Sequence, residues 1–129
     1  MASLIYLDTH VVVWLFAEGG AARLSHDAIG ALRTAEEVRV SPAVRLELQF
    51  LWEIGRLLVE PGAVMDELGS RMGLVECPSP FPAVATAATQ FNWTRDPFDR
   101  IIVGQAALNR AALVTRDRTI RDRFEQAIW

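Results

Sequence analysis

Four acids stand out by their position in the chain: Asp8 at the end of "SLIYL", Glu47 inside an apolar helical pattern, Asp99 in "RDPFDR", and Asp117 two residues past "ALVT". Each has an ordinary structural use. Asp8 and Asp117 suit turns or helix N-caps, and Glu47 suits the rim of a core or a pair with an arginine. Asp96 and Asp99 suit the N-cap and first turn of a helix, where the dipole favours an acid. Together they have a chemistry. Carboxylates brought into one pocket repel, so without a cation some take up protons or move apart. A hard divalent ion resolves that conflict. An oxygen-only ligand set suits Mg²⁺ or Mn²⁺, and the lack of a Cys or His cluster argues against zinc.

The elements that must position these acids alternate along the chain. Residues 4–7 form an apolar strand, and residues 11–17 begin a helix stopped by Gly19 and Gly20. A helix over 25–35 and a strand over 38–40 follow. Ser41 then serves as N-cap and Pro42 as the first residue of a long helix reaching Leu58, and Pro61 and Gly62 end that unit. Beyond it lie a helix over 63–72, a strand over 74–77, the loop "PSPFP" and a helix over 83–91. The last units are a helix over 97–110, a strand over 112–115 and a short helix over 119–126. This alternation predicts a three-layer α/β/α fold with a central parallel sheet, as a single domain spanning residues 1–129.

In such sheets ligands bind at the carboxyl edge, where strand order reverses. Asp8 and Asp117 both fall at that edge. On a helical wheel, Ile54 and Leu58 lie within about 20° of Glu47, with Leu51, Val44 and Phe50 close by, so this acid sits amid an apolar stripe. A carboxylate there is costly unless it is paired, protonated or coordinating a cation. Glu53 falls toward the polar side beside Gln49 and Arg56. Asp96 and Pro97 start the helix that carries Asp99, and the free N–H groups of that helix favour a bound phosphate.

With 129 residues, 51% of them hydrophobic, the chain can bury one core. Asp8 and His10 interrupt its longest apolar run, which fits neither a signal peptide nor a membrane span and leads us to expect a cytoplasmic protein. Cys77 is expected to be a small buried hydrophobe, and His10 and His26 capping or packing residues. The formal charge of −3 argues against a general polyanion-binding surface, but sixteen acids less the four site acids leave twelve against thirteen basic residues, all arginine. Outside the pocket the balance is +1. Arg116, Arg118, Arg121 and Arg123 are candidate phosphate ligands, as are Arg95 and Arg100, against the alternative of a solvated helix face. Trp52 projects beside Arg45 and Arg56, where an exposed indole suits a protein interface.

The blocks "YLDTHVVVWLF", "VSPAVRLELQFLWEIGRL", "RDPFDRIIVGQA" and "LVTRD" together resemble the PIN-domain family, and within it the VapC-like ribonuclease toxins of bacterial toxin–antitoxin pairs. The resemblance runs from Asp8 to Asp117. It carries the family's acidic positions onto Asp8, Glu47, Asp99 and Asp117, with Thr115 as the hydroxyl residue two before the last acid and Asp96 in support. One departure concerns the second block, where relatives read "SLWEI" around the acid and this chain has "LWEI" at Glu53, which leaves Glu53 as an alternative to Glu47.

The resemblance implies a Mg²⁺- or Mn²⁺-dependent endoribonuclease. Asp8 and Asp99 would ligate metal directly, while Asp117 and Glu47 complete the site or orient the attacking water; with RNA as substrate, Arg100 and Arg116 are the candidate RNA-binding residues by their position. It also implies a cognate VapB-like antitoxin and a homodimer. Two other readings remain at this point: a PIN fold that binds without cutting, and a haloacid dehalogenase-like phosphatase. The latter wants an aspartate where this chain has His10, and a lysine, which it lacks.

Overall fold

The structure, a computed structural model, describes residues 3–129. Five parallel strands form one sheet: β1 (Leu4–Leu7), β2 (Glu37–Val40), β3 (Val75–Glu76), β4 (Ala112–Val114) and β5 (Ala127–Ile128), in the order β3-β2-β1-β4-β5. Seven α-helices flank it: α1 (Thr9–Phe16), α2 (His26–Thr34), α3 (Pro42–Glu53), α4 (Pro61–Met72), α5 (Phe81–Ala88), α6 (Pro97–Leu108) and α7 (Arg118–Arg123). This is the helix-flanked parallel sheet that the alternation predicts. No helix among the described residues is long and apolar enough to cross a membrane.

The central position of β1 follows from its composition. Ile5, Tyr6 and Leu7 are all buried, and such a run needs cover on both faces. The Tyr6 hydroxyl donates to Cys77 Sγ at 2.9 Å, which satisfies the one polar side-chain atom that β1 brings into the core. From β1 the chain steps outward through β2 to β3, then returns to the other side of β1 with β4 and β5. Strand order therefore reverses between β1 and β4, and the crevice beyond their carboxyl ends is the usual ligand position in open α/β sheets.

Several boundaries differ from the sequence expectation, each for a local reason. α1 starts at Thr9, because Asp8 caps it. α3 has the expected Ser41 cap and Pro42 start but ends at Glu53, since Gly55 turns the backbone left-handed at φ +78°. Ile54 and Leu58 therefore leave the helical stripe and are 65% and 86% exposed, so the core side of α3 is Val44 and Leu48. Pro61 and Gly62 open α4 instead of closing the preceding unit, with Pro61 in the first turn. α5 likewise begins at Phe81 inside the proline-rich loop and stops at Ala88.

Around residue 124 the expected last helix gives way to a fifth strand. Phe124 is extended, and β5 pairs with β4 through Leu113 N–H to the Gln126 carbonyl and Thr115 N–H to the Ile128 carbonyl, each at 3.1 Å. Two paired residues carry no periodic signal of their own.

α6 is set against α5 by a close approach. A Cβ at Gly104 would stand 3.0 Å from Ala88 N and 3.1 Å from its Cα. Arg100 adds two donors, to the carbonyls of Ala88 and Thr89, both at 3.1 Å. Gly104→Val should thus force α5 and α6 apart and lower unfolding stability by about 1–3 kcal/mol. Denaturant titration of the two proteins checks this, and equal midpoints would contradict it.

Candidate active site

Asp8 is the hub, at 5% exposure. Its backbone N–H still pairs with β4, donating to the Val114 carbonyl at 3.0 Å, so the carboxylate leaves the sheet at the crevice. One oxygen accepts the Thr9 N–H at 2.8 Å, and the other accepts the Thr115 hydroxyl at 2.7 Å. That hydroxyl in turn accepts the Asp117 N–H at 3.0 Å, so one threonine joins the acids of two neighbouring strands. Asp117 caps α7, accepting the Ile120 N–H at 2.9 Å. On the other side, the Thr9 hydroxyl donates to Glu47 Oε1 at 2.5 Å and ties α1 to α3. Asp96 caps α6, taking the N–H groups of Phe98 and Asp99, and the first turn of α6 carries Asp99.

The electrostatics bring these acids into one field. Burial pushes the Asp99 carboxyl up to about 7, and the charges of Asp96, Asp8, Asp117 and Glu47 push the same way. Burial also raises Glu47; its bond from Thr9 opposes the shift, while Asp8 and Asp96 add to it. Among the described residues, the only basic side chain within ion-pair reach of the four acids is His10, whose Nδ1 lies 3.7 Å from Asp8 Oδ2. No three of the described His, Cys, Asp and Glu side chains gather tightly around one point. The charges of Asp8, Glu47, Asp96 and Asp117 reach Asp99 without the acids closing a cage. The donor set itself, carboxylates with no sulfur, is what a hard divalent cation prefers.

The other candidates fall as follows. Glu47, and not Glu53, is among the acids whose charges reach Asp99. Glu53 is exposed and accepts from Gln49 at 2.8 Å. The N–H groups at the start of α6 are taken by Asp96, so that helix end is not open to a phosphate as its sequence predicts. Arg100 is engaged with the end of α5, and Arg95 donates to the Asn92 carbonyl. Arg116 is exposed and lies over Trp14, with its guanidinium carbon 5.8 Å from the ring centre. Trp52 is exposed on α3.

Thr9 was not singled out from sequence, and His10 was read only as a capping or packing residue. Thr9 supplies the link between Asp8 and Glu47, and a hydroxyl residue directly after the first acid was its only signal. His10 does more than pack: its Nε2 accepts the Arg116 N–H at 2.8 Å, which leaves the Nδ1 proton facing Asp8. The histidine thereby joins the loop before Asp117 to the helix after Asp8.

Comparison with known proteins bears on the chain as a whole. Residues 5–124 match the PIN domain, and the chain belongs to that family. Over 119 residues it is 32% identical to the ribonuclease VapC22 of Mycobacterium tuberculosis, a match that covers 91% of this chain and 89% of that protein. The crystal structure of VapBC2 from Rickettsia felis, bound to a DNA fragment from their promoter, superposes with a TM-score of 0.61 over 96% of each chain. At 15% identity that likeness shows a shared fold.

Asp99 makes the site testable by pH. In the fold its carboxyl holds a proton up to about pH 7, whereas in the unfolded chain it ionises near the usual 3.8. Between those values the folded chain binds more protons, so raising the pH through this window destabilises the fold. With chelator present, Asp99→Asn should therefore raise the thermal midpoint relative to wild type. The gain should be small near pH 4 and largest above pH 7, and a difference independent of pH would contradict this origin.

Proposed function

We propose that this chain is a metal-dependent endoribonuclease toxin of the VapC type, acting in the cytoplasm and restrained by a VapB-like antitoxin. The observation that carries the reading is the electrostatic environment of Asp99 near the sheet's switch point: burial raises its carboxyl to about 7, and the charges of Asp96, Asp8, Asp117 and Glu47 add to that shift. The named ribonuclease relative, at 32% identity, supports RNA as the substrate.

Asp8 and Asp99 would hold Mg²⁺ or Mn²⁺, with Asp117 and Glu47 completing its surroundings. When bound, the ion supplies charge neutralisation at the phosphodiester and a more acidic water. The chain supplies the rest. Asp8 cannot rotate, because both its oxygens are engaged by Thr9 and Thr115. Glu47 is held by Thr9, and burial and neighbouring acids raise its proton affinity, which suits it to accept a proton from an attacking water. Asp117 keeps its position through its own helix cap.

The antitoxin reading draws support from an apolar face. Leu46, Phe50 and Phe81 are exposed, Phe50 meets Phe98 edge to face at 5.6 Å, and a groove of about 370 Å³ runs between α3, α5 and α6. Such a surface suits a protein partner, either the antitoxin or a second copy of the chain.

Purified free of any partner and given Mg²⁺, the wild-type chain should cut a mixed RNA pool. Asp8→Asn and Asp99→Asn should each lose more than the roughly 10–100-fold typical of residues that only support a metal ligand. Chelation should abolish cutting and added Mn²⁺ should restore it. Cleavage that survives both substitutions with the fold intact would remove these acids from the reaction.

A further inference from the structure

Beside the acids, a recess of about 310 Å³ is lined by His10, Trp14, Arg116 and Asp117. It is continuous with the proposed site, since Asp117 belongs to both and His10 Nδ1 is 3.7 Å from Asp8. Two rings, His10 and Trp14, form its wall. His10 and Trp14 meet with centroids 5.2 Å apart, one helical turn or about 6 Å along α1. Trp129, just after β5, reaches both of them, at 6.4 Å from His10 and 5.9 Å from Trp14. His10, Trp14 and Trp129 are all partly exposed, so their surfaces are not wholly spent on one another.

Two guanidiniums lie over Trp14. Arg116, which lines the recess, and Arg23 outside its lining each have their guanidinium carbon 5.8 Å from the Trp14 ring centre, and neither has a carboxylate partner among the described residues. A guanidinium that lies over an indole keeps its N–H edge directed outward, where a phosphate can take it. An aromatic platform with cationic edges is how proteins hold single-stranded nucleic acid: the rings stack on a base and the cations follow the backbone. The same charges disfavour a basic peptide segment.

We propose that this recess is a nucleotide subsite, which takes the nucleotide adjoining the cleaved phosphodiester. Its base stacks on the wall formed by His10 and Trp14, and its outer phosphate is held by Arg116, with Arg23 behind it. The proposal rests on the ribonuclease reading above and adds to it a set of residues that select and hold the strand. It also gives His10 a double position, one edge on the loop before Asp117 and one face toward the substrate.

The test pairs a change in the protein with a change in the RNA. After the cut is mapped on an oligoribonucleotide, each flanking nucleotide is replaced in turn by an abasic ribose. For the wild type, removing one of the two bases should raise KM about tenfold, the scale of one stacked base. In Trp14→Leu that preference should disappear. Arg116→Gln, at an exposed position, provides a second arm that does not depend on core packing: the slope of log KM against log salt should fall by about one, as for the loss of a single phosphate contact. A wild type that cuts no RNA overturns the ribonuclease reading and the subsite with it. A wild type that cuts RNA while both variants keep its base preference and salt slope overturns the subsite alone, and assigns the recess to a protein partner.

Discussion

The architecture depends on burying one carboxylate without leaving it unsatisfied. Asp8 stands at the end of the central strand with almost no access to solvent, a position that costs several kcal/mol for an unpartnered charge. Its two oxygens are met by the Thr9 amide and the Thr115 hydroxyl, so what makes the burial tolerable comes from the first turn of α1 and the end of β4. Satisfying Asp8 therefore also sets the register between β1 and β4, and through Thr115 it sets the Asp117 amide. The remaining acids are repelled by this centre. Glu47 on α3 and Asp117 at the start of α7 each keep their own hydrogen bonds, while both charges act on Asp99 in α6.

Much of this was legible in the sequence because strong local signals coincide with it. Proline after a capping residue at Ser41–Pro42 and Asp96–Pro97 fixes where α3 and α6 begin, and an all-apolar β1 can only be a central strand. The acids at Asp8 and Asp117 are visible as strand-end residues. The reason for singling out Glu47 was partly mistaken. Ile54 and Leu58, which framed it on the wheel, lie beyond the end of α3, and the residue owes its position to the Thr9 hydroxyl and to the edge between the Val44–Leu48 core and an exposed apolar face. The family resemblance left Glu53 open beside it, and the structure places the charge of Glu47, and not that of Glu53, within reach of Asp99.

What stayed hidden was set by partners distant in sequence. β5 is two residues long and is recognisable only through its bonds to β4. Thr9, His10 and Trp129 look like filler until the sheet brings the end of the chain against α1. Arg100, next to Asp99, looks like a phosphate ligand, and the end of α5 claims it instead. Side chains of this kind are assigned by tertiary neighbours, and a short window contains none of them.

The sheet order has a further consequence for the timing of assembly. The bond between Thr115 and Asp8 closes a loop of 107 residues, and β4 must enter beside β1 before it can form. A nascent polypeptide emerging from the ribosome cannot contain the complete pocket until translation has passed Asp117 and that strand has docked.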